Sequence, residues 1–314
     1  MQWTDRIGRR IKLRDLHILT EVVQSGSMSK AGNRLTISTP VISKAIADLE
    51  HAVGVRLLDR SSQGVEATMY GQALLKWSVA AFDDLRQGVK EIEFLSDPTA
   101  GELRIGSSAA IVEGFLPAVL NRLHRSHPRL TFDVTQAFTG APLYHELRER
   151  NVDLVLARVM MPIVEDDLSA EILFDEPSFV VAGHRNRWVR RRSIELAELI
   201  NEPWILPRPG TTTRAVFAET FRACGLELPK AVISCNSIHM YGDLLASGRL
   251  LALAPASVLR FAAKRLSAKV LQVKLPAFPR PVGIITVKGR MISPVLQRFI
   301  DCAREVAKPL VRHE

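Results

Sequence analysis

LRDLHILTEVVQSGSMSKAGNRLTISTPVISKAIADLEHAVGVRLLDR, residues 13–60, is the stretch on which the reading of this chain turns. Leu13, Leu16, Leu19 or Thr20, and Val23 recur at helical spacing and stop at Ser25-Gly26, a natural C-terminal stop. Ser27 can cap a second, short helix whose Met28, Ala31 and Leu35 face inward. Thr36 to Ser38 make a tight connection. A third helix starts at Ser38-Thr39-Pro40, with proline in the first turn where its missing N–H costs nothing. Ile42, Ala45 or Ile46, Leu49 and Val53 share its apolar face, and it ends near Gly54. Val55 to Leu58 and Val65 to Ala67, joined by a polar tip at Ser61 to Gly64, predict a short strand pair.

Helix, helix, turn, helix and wing is the order of a winged helix-turn-helix, whose last helix lays its N-terminal residues against base edges. Opposite the apolar face of the third helix stand Pro40, Ser43, Lys44 and Ala47. Ser43 can bond a phosphate or a base and Lys44 can reach a phosphate or a guanine. Pro40 and Ala47 offer apolar contact to thymine methyls. Ser27 and Lys30 open the preceding helix, where backbone N–H groups and a cation suit a phosphate. Arg60, at the start of the wing, can follow the backbone or enter the minor groove.

Thr68 caps a long helix running to about Leu95. Leu75, Phe82 and Val89 are seven apart, as are Leu85 and Ile92, so the five form a narrow seam suited to pairing with an identical helix. Packing of one long helix on its own wing is the competing reading. Ser96-Asp97-Pro98-Thr99-Ala100-Gly101 then breaks the pattern. Beyond it strands alternate with helices: Leu103 to Ile105, Leu130 to Val134, a helix Leu143 to Arg150, and Val152 to Leu156. That order predicts a parallel sheet with flanking helices. Phe179 to Ala182, Trp204 to Leu206, Leu250 to Leu253 and Gly283 to Val287 continue the strands. Two small α/β subdomains with a ligand at their hinge account for the length.

The expected domains are therefore a winged helix-turn-helix over 1–68, a linker helix over 69–97, and an α/β region over 98–314. The last comprises one subdomain of about 101–175 with 275–314, and another of about 176–274. Ser107-Ser108 follow the first of its strands and open a helix, and Thr211-Thr212-Thr213-Arg214 open another after Pro209-Gly210. Hydroxyls and free N–H groups so placed suit an anion or a polar oxygen, although capping alone would also explain them. Arg214 is expected to pair with a carboxylate of the protein or of a ligand.

The chain of 314 residues has a formal net charge of +9 and 47% hydrophobic residues, which permits buried cores and contact with a polyanion. Residues 1–60 carry ten Lys/Arg against six Asp/Glu, a net of +4, so basicity alone does not locate such contact. No apolar run approaches the roughly 18 residues of a membrane span, and the polar, basic start lacks a secretory h-region; a cytoplasmic location is expected. Cys224, Cys235 and Cys302 are read as reduced, mostly buried thiols, with a Cys224–Cys235 redox pair as the alternative.

Catalytic motifs are scarce. Ser27-Met28-Ser29-Lys30 satisfies S-x-x-K, but no S-D-N or K-T-G partner follows. His124 and His127 lack the spacing and the glutamate of a metalloprotease helix. No P-loop, G-x-S-x-G or G-x-G-x-x-G occurs, so no enzyme, cofactor or metal is implied.

The stretches Leu13-Arg14-Asp15-Leu16, Gly26 to Ala31, Ser38 to Ile46, Leu49-Glu50, Gly54-Val55, Leu57-Leu58 and Arg60, with Thr68 and Gly71, resemble the LysR-type transcriptional regulators. Gly101-x-Leu103-Arg104-Ile105-Gly106, His127-Pro128, Val152-Asp153-Leu154 and Gly248-x-Leu250-Leu251-Ala252-Leu253-Ala254-Pro255 extend the likeness over the sensor region. The resemblance implies a two-lobed α/β effector-binding domain like a periplasmic binding protein. It also implies promoter DNA as partner, a small effector, a homodimer or homotetramer, and RNA polymerase. It brings Ser107, Ser108, Thr139, Thr211 and Thr212 to one cleft, and suggests organic acids, aromatic compounds or sugar derivatives as effectors. Four positions depart from the pattern. Thr39 stands where glutamine is usual, which removes a bidentate adenine contact from that DNA-facing position. Gly32 replaces an alanine and would loosen its helix; Arg150 replaces a glycine; and Leu250 replaces the second glycine of a Gly-x-Gly, which would reshape the pocket. The alternative is a small-molecule-binding α/β protein or enzyme with a helical appendage, which specific duplex binding or metabolite turnover would separate from a regulator.

Overall fold

The computed structural model describes residues 10–61, 64–159, 165–276 and 281–311. The chain divides into two units, 1–88 and 89–314, with the division inside one long helix.

In the first unit, α1 (Leu13–Ser25) ends where Gly26 takes a left-handed conformation, φ 63°. Ser27 then caps α2 (Met28–Leu35), its hydroxyl accepting from the Lys30 N–H, and α3 (Thr39–Val53) follows, closed by left-handed Gly54. Leu16, Leu19, Val22, Ala31, Ile42, Ile46 and Leu49 meet in one buried core. Gly32 does more than loosen α2: an added Cβ would lie 2.7 Å from the Ile37 carbonyl oxygen, so the tight approach of the α2–α3 turn is made on a bare backbone. The wing is β1 (Leu58–Ser61) paired antiparallel with β2 (Gly64–Ala67). Its first strand starts three residues later than the sequence predicts. The physical reason is Glu50, whose carboxylate accepts the backbone N–H groups of Leu57 (2.8 Å) and Leu58 (3.3 Å) and ties that segment to α3. Ser62 and Gln63 of the expected tip lie outside the described residues.

Thr68 opens α4 (Met69–Ser96): its hydroxyl accepts from the Gly71 N–H and donates to the Arg56 carbonyl. At Gly71 an added Cβ would fall 2.1 Å from the Leu57 carbonyl oxygen, so the helix seats directly on the wing backbone.

In the second unit the elements run β3 (Ala100–Ser108), α5 (Ala109–Glu113), α6 (Phe115–Ser126), β4 (Arg129–Ala137), α7 (Gly140–Arg148), β5 (Leu154–Arg158), β6 (Leu168–Asp175) and β7 (Ser178–Gly183). There follow β8 (Trp204–Leu206), α8 (Thr212–Ala223), β9 (Ala231–Ser234), α9 (Ile238–Ala246), β10 (Leu251–Pro255), α10 (Ala256–Phe261), α11 (Ala263–Leu266), β11 (Ala268–Val270), β12 (Pro281–Val287) and α12 (Pro294–Val311). They build two five-stranded sheets, β4-β3-β5-β12-β6 and β11-β7-β10-β8-β9. Both are mixed, where the sequence order suggests parallel pairing. β12 runs antiparallel between β5 and β6, and β7 antiparallel between β10 and β11. These reversals carry the chain out of the first lobe after β6 and back into it at β12.

Each sheet is buried on both faces. Phe115, Val119, Leu154, Ile284, Phe299 and Ala303 cover one face of the first sheet, and Leu143, Leu147, Val155 and Ile285 the other. Trp204, Phe217, Phe221 and Leu253 cover one face of the second, and Ile205, Tyr241, Leu245 and Ala252 the other. A buried ion cluster locks the first lobe. Asp153 accepts from Arg104 Nη2 at 2.7 Å and from Arg290 Nη2 at 2.9 Å. Burial alone would raise its carboxyl, but the side-chain and backbone hydrogen bonds from Arg104 hold it below the usual aspartate value. Helix α7 starts three residues before the predicted Leu143, at the Thr139 cap, and Arg150 beyond its end sits in a left-handed conformation, φ 61°, which glycine takes without strain.

Candidate nucleic-acid interface and ligand cleft

On α3 the periodicity separates two faces cleanly. Ile42, Ile46 and Leu49 are fully buried, whereas Thr39, Pro40, Lys44 and Ala47 are exposed and Ser43 is half-exposed. Val41, an exposed apolar side chain that sequence reasoning passed over, lies between Pro40 and Lys44 on the same first turns. Lys30 and Arg60 are exposed as well, and the Ser27 hydroxyl is half-buried and accepts the Lys30 N–H as a cap, which leaves its O–H able to donate to a phosphate. The arrangement is a helix held rigidly from behind that offers hydroxyl, ammonium and small apolar groups to solvent.

The seam expected on α4 splits in two. Leu75 and Phe82 pack against the core of the helix-turn-helix, and the Phe82 ring meets His17 edge to face at 5.9 Å. They are therefore corrected from pairing residues to part of their own domain, because that core offers them apolar partners. Leu85, Val89 and Ile92 remain 52%, 55% and 65% exposed. With Trp77 and Leu95, also exposed, they make an apolar stripe that runs on at three- and four-residue steps through Ala81 and Gly88.

In the second unit a small, partly open cavity of about 60 Å³ lies between the lobes. Ser108, at the end of β3, lines it, as do Thr139, which caps α7, and Thr211 and Thr212, where α8 starts. Phe138, Leu143, Phe217, Tyr241 and Leu253 supply most of its apolar wall. The Thr211 hydroxyl accepts from the Arg214 N–H and donates to the Arg208 carbonyl, so it holds the loop as much as it faces the cleft. An adjoining, more open cavity of about 570 Å³ shares Glu113, Phe138, Thr211 and Asn236 with the first and adds Gln136, Arg208 and Cys235. Burial pushes the Tyr241 phenol well above its usual range, and it donates to the Cys235 carbonyl at 3.2 Å.

Two family descriptions match this chain: the LysR substrate binding domain over residues 96–308, and the bacterial regulatory helix-turn-helix protein, lysR family, over residues 13–72. The chain belongs to the LysR family. LysR regulators combine a DNA-binding helix-turn-helix with an effector-binding domain and are not enzymes. They bind promoter DNA and small-molecule effectors, and they oligomerise. Among relatives, the uncharacterised HTH-type transcriptional regulator YdcI of Escherichia coli K12 is 23% identical over 305 residues, which is 97% of this chain and 99% of YdcI. A full-length OxyR variant from Pseudomonas aeruginosa shares the fold at TM-score 0.66 and 22% identity, covering 97% of this chain and 99% of that one. Full-length CbnR complexed with its target DNA shares it at TM-score 0.54 and 22% identity, covering 95% and 100%.

The likeness to LysR regulators assigns Ser107 to the cleft, and the structure corrects this. Ser107 is fully buried and donates to the Leu156 carbonyl at 2.9 Å, stitching β3 to β5 outside the cavity wall. Neighbouring strand residues face opposite ways, so of the serine pair only Ser108 reaches the cleft. Arg214 donates to the Pro207 carbonyl at 3.0 Å, where a carboxylate was expected. Leu250, the residue in place of a LysR glycine, is buried in a core on the second lobe and does not line the cavity. Cys224 is exposed instead of buried, Cys235 and Cys302 are half-buried with thiols pushed up by burial, and all three are free. Sequence reasoning missed Arg158 and Asn236, both in the cavity wall. A charged residue closing the fully buried strand Leu154–Arg158 was the available signal for the first. Among the described residues no group of three His, Cys, Asp or Glu could hold a metal ion, and no helix is long and apolar enough to cross a membrane.

Proposed function

We propose that residues 1–68 read promoter DNA, that 69–97 pair two copies of the chain, and that 98–314 sense a small effector. The lobes of the sensor would be about 101–175 with 275–314, and 176–274. Support for the first part comes above all from α3, whose Thr39, Pro40, Ser43, Lys44 and Ala47 face solvent while Ile42, Ile46 and Leu49 anchor the same helix. Ser43 and Lys44 contact base edges or phosphates, and Ser27, Lys30 and Arg60 hold the DNA backbone at the flanks. Two copies joined through Leu85, Val89 and Ile92 read half-sites about one helical turn apart, and paired sensor domains complete a tetramer.

The effector occupies the cleft at Ser108, Thr139, Thr211 and Thr212, and the regulator works in the cytoplasm through contact with RNA polymerase. The likeness to LysR regulators suggests organic acids, aromatic compounds or sugar derivatives as effector classes. Selection of bound duplexes from a random library, followed by footprinting, tests the DNA-binding part. A single enriched palindromic site, lost in the Ser43→Ala, Lys44→Ala protein, is the expected result. A folded double variant that selects and protects the same site as the parent would refute the assignment.

A further inference from the structure

Arg158 lines the small cavity with its side chain only 6% exposed. Its Nη2 donates to Glu176 Oε2 at 3.1 Å. Glu176, fully buried where the chain crosses from β6 to β7, accepts on its other oxygen from the Ser257 hydroxyl. Glu176 thus ties Arg158 of the first lobe to α10 of the second. The Arg158 Nε is buried and has no hydrogen-bond partner, and the same is true of the Ser108 hydroxyl in the same cavity wall. A buried donor left without an acceptor is costly, and more so on a charged group, so two such donors at one cavity mark a place built for an acceptor.

We propose that the effector is a small carboxylic acid bound as its carboxylate, one oxygen accepting from Arg158 Nε and the other from Ser108 Oγ. This rests on the reading of the cleft as the effector site and names the chemistry it takes. Glu176 already matches the charge of Arg158 and Glu113 adds a carboxylate to the wall, so the N-terminal ends of α7 and α8 at Thr139 and Thr212 are what offsets a monoanion, whereas a dianion would be left under-compensated. The body of the acid lies against Leu143 and Phe217. A cavity of about 60 Å³, at about 10–15 Å³ for each water, has space for roughly four to six non-hydrogen atoms. That is the size of acetate, propionate and butyrate. Because the ligand shares its guanidinium with Glu176, occupancy is felt where the chain passes between the lobes.

The test is calorimetric titration of the full-length chain with acetate, propionate and butyrate, against propionamide as the neutral isostere. Saturable binding of an acid, with propionamide inert, is expected. Ser108→Ala should weaken it several-fold. Arg158→Lys, which keeps a cation for Glu176 and removes Nε, should weaken it by about tenfold or more. Should Arg158→Lys fail to fold, the Arg158→Gln, Glu176→Gln pair removes the charge without stranding a carboxylate and should lose binding equally. Propionamide binding as well as propionate, or affinities unmoved by both the Ser108 and Arg158 changes, would overturn the carboxylate assignment. So would a neutral metabolite that saturates the chain while all three acids fail, although that result would leave the cleft as the effector site. Acids that bind unaltered when Ala110→Phe fills the cavity would overturn both readings.

Discussion

The backbone N–H of Thr212 donates to the carbonyl of Phe138 at 3.2 Å, a single bond from the start of α8 in one lobe to the loop before α7 in the other. Both residues line the small cavity. Thr212 is the first helical residue after its cap, and Thr211 before it is extended (φ −95°, ψ 149°), a conformation that proline accepts in its predecessor. Thr212→Pro should therefore keep the helix and delete this bond, while also taking the Thr212 hydroxyl out of the cavity wall. The expected outcome is a thermal midpoint shifted by a few degrees at most and a faster on-rate for propionate in stopped-flow; an unchanged on-rate would show that the bond does not gate entry.

Lys44 is exposed on the first turns of α3 with no ion-pair partner among the described residues. If it meets a phosphate, Lys44→Ala should reduce the slope of log affinity against log salt by about 0.9 and weaken all duplexes alike. Were it to read a guanine instead, the loss would fall on one position of the selected site, with discrimination there reduced by about 1–3 kcal/mol. Fluorescence anisotropy over a range of salt separates these.

Phe82 and Ile92, ten residues apart on one helix, should respond differently. Phe82→Ala removes packing from the helix-turn-helix core and should destabilise that unit by about 1–3 kcal/mol, less than for a fully buried ring. Ile92→Asp leaves the core untouched and places a charge on the exposed stripe, so sedimentation should show dissociation without loss of helix content. Dissociation by Phe82→Ala alone would assign the interface to the wrong side of α4.

Asp153→Asn should cost the sensor about 3–5 kcal/mol, because it leaves the guanidinium of Arg290, 2% exposed, without its carboxylate. The carboxyl is held below its unfolded value of about 3.9, so its contribution is fully present above that pH and fades as pH falls through the lower folded value. Urea titrations should thus show the parent losing stability below about pH 4, while the variant loses less over the same interval.

Gly71→Ala should destabilise the first unit by about 1–3 kcal/mol, despite the better helix propensity of alanine, since its Cβ would meet the Leu57 carbonyl at 2.1 Å. A variant as stable as the parent in thermal melts would mean that α4 can lift off the wing at no cost.

The helix-turn-helix was legible because each of its helices hides one face: Ile42, Ile46 and Leu49 recur at the helical period, and Gly26 and Gly54 stop the helices where the pattern ends. The cleft was legible only in part. Ser107 and Ser108 are the same residue type, and which of them faces the ligand depends on strand parity, which no local property of either residue reveals. The α4 seam misled for a related reason: period seven marks residues on one side of a helix but not whether a partner helix or the chain's own wing covers them. Arg158 and Glu176 lie eighteen residues apart, on separate strands or their ends, and meet only because β6 delivers the chain to the lobe crossing. The direction of β12 was equally hidden, since apolar runs read alike in parallel and antiparallel sheets.

The position of β12 between β5 and β6 has a consequence for biosynthesis. Residues 10–61 and the start of α4 make contacts near in sequence, so they can fold while the rest is still being translated. The first sensor sheet cannot close until residues 281–287 have left the ribosome, and its outer layer waits for α12, the last helix. A nascent chain arrested before that point therefore presents a finished DNA-reading domain beside a sheet whose edge strand β6 has no neighbour to pair with. Truncations that look conservative at the C-terminus should populate chaperone-bound, aggregation-prone chains and yield no smaller functional sensor.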